Sequence, residues 1–190
     1  MSSGTLMRMI MIHKLGGRRL GLTLAVAIVA CGGVVAALYA YFTPKPRLLR
    51  LSDGTEVFYL SNTVIQPAAD YPHPREIKID GEAFIRAAAA SQPLVVRSRL
   101  LVLTVIGETA LRVIAHSNET GEEADVLSGH VEARKAYRSP QNEADTLLDG
   151  QEVMVNQTID LQEKETADVP SLRTWSEALM ASVARTQRPD

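Results

Sequence analysis

Twenty-three consecutive residues, Leu20 to Phe42, carry no charge and only one plainly polar side chain, Thr23. At about 1.5 Å of rise per residue, a helix of this length spans roughly 34 Å, enough for a hydrocarbon core of about 30 Å. Within lipid every backbone amide needs a partner in its own segment, so a helix is the expected form. Tyr39 and Tyr41 suit the aromatic belt at the interface. Pro44 and Pro46 then end the helix and begin an extended linker.

Charge is divided at the same place. All 22 Asp and Glu residues lie after Thr43, whereas the first 42 residues carry only Arg8, Lys14, Arg18 and Arg19. Beyond them stand 16 basic against 22 acidic residues, a net charge near −6. An acidic domain repels phosphate backbones, so nucleic acid is not the expected partner. A short basic head before the first span usually stays in the cytoplasm. Residues 1–19 are therefore expected inside a bacterial inner membrane and the remainder in the periplasm. Cys31 is the only cysteine, so the domain can form no disulfide within itself. The run Ile28-Val29-Ala30-Cys31 has the small-residue pattern of a lipoprotein cleavage site. The apolar stretch continues well past Cys31, which favours an uncleaved membrane cysteine.

After the linker (43–50) the pattern changes to short extended segments separated by turn signals. Asp53-Gly54 lies between Leu48 to Leu51 and Glu56 to Leu60, a hairpin signature. Glu76 to Asp80 alternates strictly, which puts Ile77 and Ile79 on one face. Asp80-Gly81 is read as a turn into Glu82 to Arg86. Pro93 to Arg97, Leu100 to Ile106 and Leu111 to His116 follow, then Asp125 to Leu127 and His130 to Arg134 around Ser128-Gly129. Leu147-Leu148 and Glu152 to Val155 flank Asp149-Gly150. Alanines 87–90 read as a helical turn or a loop. This spacing predicts a mainly β domain over 51–160, an antiparallel-rich sandwich or solenoid. In the tail (161–190), Asp168 is placed to cap a short helix with Pro170 in its first turn. Leu172, Trp175, Leu179 and Val183 would share one face of it.

These turns carry a resemblance. Leu51-Ser52-Asp53-Gly54-Thr55-Glu56-Val57, Arg75 to Ile85, Pro93 to Val96, Val105 to Val113, Val126 to Val131 and Leu148 to Val153 resemble, in order, the periplasmic FecR domain. The match covers roughly residues 48–157, with Gly107, Gly129 and Gly150 among its turn positions. Glu108 and Leu111 stand where the family usually has Thr and Phe. The resemblance implies a single-span regulator that receives a signal from an outer-membrane TonB-dependent transducer and acts on an extracytoplasmic-function sigma factor. With residues 1–19 too short to bury a core and only a short helix after the β domain, the expectation is a reduced form of the family, without its cytoplasmic anti-sigma head or its further carboxy-terminal domain. Regulation would then need a separately encoded anti-sigma protein.

No catalytic constellation stands out. There is no Gly-x-Ser-x-Gly elbow, P-loop or paired-cysteine motif, and no cofactor or metal is expected. His116 and His130 could meet on neighbouring strands, with Glu119, Glu122, Glu123 and Asp125 between them. Asn118 to Asp125 reads more simply as a solvated hairpin tip. Asp53, Asp80 and Asp149 each precede glycine, and turn chemistry accounts for them. The expectation is a non-enzymatic signalling protein, with Trp175 as a candidate partner contact. The alternative is an assembly module that binds another envelope protein without a transcriptional role.

Overall fold

The computed structural model describes residues 43–187. The apolar run 20–42 and Cys31 lie outside the described residues, and within those described no helix is long and apolar enough to cross a membrane. Ten strands and one helix follow in order. They are β1 (Pro46–Arg50), β2 (Glu56–Leu60), β3 (Val64–Pro67), β4 (Glu76–Ala87), β5 (Leu94–Arg97), β6 (Leu101–Ala115), β7 (Gly121–Lys135), β8 (Asp145–Leu147), β9 (Gln151–Asn156), β10 (Leu161–Thr166) and α1 (Val169–Thr186).

All ten strands join one open mixed sheet, ordered β1-β2-β4-β5-β6-β7-β9-β10, with β3 on β4 and β8 on β7. Pairing is antiparallel except between β4 and β5, where Ile77 lies opposite Val96 in parallel. The hairpin expected at Asp53-Gly54 joins β1 and β2, with Arg50 opposite Glu56.

Three other expected turns are not turns. Asp80-Gly81, Gly107 and Ser128-Gly129 lie inside the long strands β4, β6 and β7. The chain bends there without reversing, and each long strand exchanges one set of neighbours for another. Residues 77–80 of β4 pair with β3, and residues 83–86 pair with β2. Likewise β7 pairs with β9 through 121–125 and with β8 through 131–133. Asp149-Gly150 separates β8 from β9, which run one after the other along β7 rather than forming a hairpin. Glycine marks backbone that other residues avoid, and a bend meets that need as well as a reversal does. The domain is mainly β as expected, but in place of a sandwich or solenoid its strands form one open, bent sheet. The stretch 161–166, assigned to the tail from sequence, is strand β10.

Alternation explains the core. Ile77, Ile79, Ala83, Ile85 and Ala87 of β4 enter one buried cluster, as do Leu101, Leu103, Val105, Leu111, Val113 and Ala115 of β6. Both ends of each strand feed the same core, so the sheet folds over it. In β7 the inward set changes parity, from Ala124 and Val126 to Val131 and Ala133. The register irregularities between β6 and β7 fall in the same region. An odd number of inserted positions exchanges the two faces of a strand, which frees Leu127 to point outward. Fully burying each Leu, Ile or Val side chain contributes roughly 1.5–3 kcal/mol, so this cluster is the main source of stability.

The outer face is covered in one place. Helix α1 lays Leu179 and Val183 on Phe58 and Phe84, with Leu48, Leu60, Ala110, Leu127, Trp175 and Met180 around them. Its start is as the sequence predicts. The Asp168 carboxylate accepts the Ser171 amide at 3.1 Å, and Pro170 sits in the first turn, where no amide is needed.

Candidate functional site

Where α1 ends its cover, the outer face turns polar. Inward alternation of Leu111 and Val113, Ala124 and Val126, and Val153 and Val155 sends the residues between them outward. The register then aligns one row across five strands: Phe84 opposite Arg112, Arg112 opposite Asp125, Asp125 opposite Glu152, and Glu152 opposite Glu165. The row begins beneath the helix and ends at the sheet edge.

Arg112 is its hinge point. Its Nε donates to Glu82 Oε1 at 2.7 Å, Nη2 donates to the same oxygen, and Nη1 lies 3.8 Å from Asp125 Oδ2. Its guanidinium carbon stands 4.5 Å from the centroid of the Trp175 ring. Trp175 in turn meets Phe84 edge-on, with centroids 6.3 Å apart and planes at 79°. Cation–π and edge-to-face contacts of this geometry are attractive because the ring face is electron-rich and its edge is not.

Beyond Arg112, carboxylate oxygens of Glu123, Asp125 and Glu152 all lie within 4.8 Å of one another. Burial, reinforced by the charge of Glu123 and opposed by Arg112, pushes the Asp125 carboxyl up to about 8. Burial together with Glu123 and Glu165 also raises Glu152, against a hydrogen bond from Asp125. Like charges this close in a poorly solvated place cannot all ionise easily, which is why Asp125, the most buried of the three, holds its proton at neutral pH. The group offers only carboxylate oxygens, and its counter-charge comes from a side chain. Arg112 already supplies one positive charge there.

Sequence-predicted residues fall in several places. Asp53 does more than make a turn. Its carboxylate accepts the Thr55 amide at 3.0 Å and the Arg75 Nε at 2.6 Å, with both side chains nearly inaccessible. Burial works to raise the Asp53 carboxyl, but hydrogen bonds from Thr55 and Arg75 outweigh it and hold it below the usual range. Arg75 also donates to the carbonyls of Ala88 and Gln92, which ties down the loop that begins at Ala88, while Ala87 is still the last residue of β4. Asp80 accepts the Ser117 amide at 2.9 Å, and Asp149 accepts the Gly129 amide at 2.6 Å.

The two histidines do not meet. His130 lies opposite Ile106, and His116 follows the far end of β6. The segment Asn118 to Asp125 is only partly a hairpin tip, since β7 begins at Gly121. Glu122 and Asp125 are buried, not solvated. Glu122 is held by the Leu100 amide at 2.9 Å and by Ser98, while burial raises its carboxyl. Away from this row, a cleft of about 470 Å³ is lined by alanines 87–89, Glu108, Ser128 and the Glu56–Arg86 pair, which meet at 3.3 Å.

Sequence reasoning missed Arg75, Glu82, Arg112 and Glu152. Each is an ordinary charged residue on an alternating strand, and only the pairing of distant strands gives it a partner.

The arrangement defines a class: a mainly β domain, bent at glycines, with one carboxy-terminal helix docked on its outer face. Within that class the structure is similar to two crystal structures of a candidate anti-sigma factor from Parabacteroides distasonis. Each has a TM-score of 0.60 and 25% sequence identity. The match covers 69% of this chain and 60% of each neighbour, so it spans less than two thirds of their length. No protein-family model matches the chain, and no curated protein does.

Proposed function

We propose that this chain is a membrane-anchored regulator that acts on a sigma factor through protein–protein contact, with its β domain outside the cytoplasm. The observation that carries this reading is the likeness, at 25% identity, to a candidate anti-sigma factor. The ordered resemblance of residues 48–157 to the FecR periplasmic domain supports the finer assignment. The uncharged stretch 20–42 supports a single span, and the basic residues before it support a cytoplasmic amino terminus. The β domain receives an envelope signal from a protein such as a TonB-dependent transducer. The signal passes inward through the span to the sigma factor or to a separate anti-sigma protein. No step of this role requires catalysis.

Deletion of the gene under inducing conditions should change the transcript levels of one sigma-dependent regulon, and restoring the chain should reverse the change. An unaltered transcriptome would remove the regulatory assignment. Topology is checked separately. Alkaline phosphatase fused after Arg50 should be active, since that enzyme matures only outside the cytoplasm, and an inactive fusion at normal expression would reverse the orientation.

A further inference from the structure

We propose that Glu123, Asp125 and Glu152 form a proton-operated latch that sets, through Arg112, how firmly helix α1 is held to the sheet at Trp175. The device rests on contacts within the domain and stands whether or not the regulatory assignment does.

The geometry places one cation between two claims on it. Arg112 is forked onto Glu82 of β4 on one side, with the Trp175 ring against its guanidinium. On the other side Asp125 of β7 waits at 3.8 Å, a distance for attraction but not for a hydrogen bond. Asp125 is faced by Arg112 from β6, Glu123 from its own strand and Glu152 from β9, with Glu165 of β10 behind Glu152. Glu82 faces it through Arg112. From the helix the residue in contact with Arg112 is Trp175, and the charged neighbours Arg173 and Glu177 are exposed. Among the described residues Arg112 is therefore the cation facing Asp125.

While Asp125 keeps its proton, Arg112 belongs to Glu82 and Trp175. Once Asp125 ionises, a nearly inaccessible negative charge stands beside two others, and the nearest relief is the Arg112 guanidinium. A charge-assisted bond closes to about 2.7–2.9 Å, so Nη1 moves roughly 1 Å toward Asp125. That shift tips the guanidinium off the indole face. The apolar contacts of Leu179 and Val183 remain, so the helix loosens around Trp175 without coming away.

Trp175 is the only tryptophan, which makes its fluorescence a direct readout. The purified full-length protein is titrated from about pH 6 to pH 10 while Trp emission and amide exchange protection in α1 are followed. The expected result is a sigmoidal change in emission with a midpoint near 8, accompanied by a several-fold loss of protection around Trp175. Asp125→Asn should abolish the transition. Glu123→Gln should move its midpoint to lower pH by removing a like charge, and Arg112→Met should leave emission flat. Flat emission in the unaltered protein would overturn the latch. So would a transition that survives Asp125→Asn, a Glu123→Gln midpoint that does not move, or an unchanged response in Arg112→Met.

Discussion

Thr63 crosses directly over Gly81. A β-carbon at Gly81 would lie 2.8 Å from the Thr63 Cα, and the Thr63 hydroxyl both accepts the Glu82 amide at 3.1 Å and donates to the Glu82 carbonyl at 2.9 Å. Thr109 stands over Gly129 in the same way, with its Cα 2.8 Å from where a β-carbon would be. Both glycines also have left-handed backbone, at φ 122° and 109°. The two threonine–glycine crossings hold the corners about which β4 and β7 bend.

Gly81→Ala and Gly129→Ala should each cost about 2–5 kcal/mol, combining left-handed strain with displaced backbone. Gly107→Ala is the control. Its φ is 71°, but nothing lies within 4 Å of the added carbon, so only about 1–2 kcal/mol is expected. Urea denaturation of the three variants measures the contrast, and equal losses at Gly81 and Gly107 would contradict the crossing.

Arg75 and Asp53 form an ion pair with side chains 2% and 8% exposed. Arg75→Met leaves the Asp53 charge and two carbonyls without their donor, which should cost about 3–5 kcal/mol. Adding Asp53→Asn to that variant should recover part of the loss, because no unpaired charge then remains buried. A double-mutant cycle by denaturant titration reads the recovery directly.

Helix docking divides between cap and ring. Trp175→Ala removes the Phe84 edge contact and the Arg112 cation–π contact, for about 2–3 kcal/mol. Asp168→Ala removes the bond to the Ser171 amide, for about 1 kcal/mol. The residues are two turns apart and share no partner, so the costs should add. Thermal unfolding of the single and double variants checks this.

Stability should fall as pH rises from mildly acidic toward 9. The Asp125 carboxyl titrates near 8 in the folded protein against about 3.9 in an unfolded chain. Between those values the folded state holds a proton that the unfolded state has lost. The contribution is full below the lower value and gone once the pH passes 8. The raised carboxyls of Glu122 and Glu152 act in the same direction. The denaturation midpoint, measured across this range, should therefore decline with pH, and less steeply in Asp125→Asn.

Much of the architecture was legible in the residues. Ile77 and Ile79 alternate with polar neighbours and are buried on one face, as expected. Asp168, Pro170 and the spacing of Leu172, Trp175, Leu179 and Val183 specified the helix, its start and its packed side. Local chemistry settles such features, because each depends on residues within a few positions of one another.

What glycine means at 81, 107 and 129 was decided by tertiary structure. A glycine announces unusual backbone, yet reversal and bend ask the same freedom of it, and only the strand lying alongside determines which occurs. The outer row was hidden for a related reason. Glu82, Arg112, Asp125 and Glu152 stand 13 to 30 positions apart from one to the next along the chain and become neighbours only through the pairing of β4, β6, β7 and β9. By itself the sequence determined most of the segments that extend, though not β3 or β10, where the chain must yield, and which side of the final helix is apolar. The folded sheet alone decided which charges are buried together, because burial and proximity come from pairings between distant strands that no local pattern encodes.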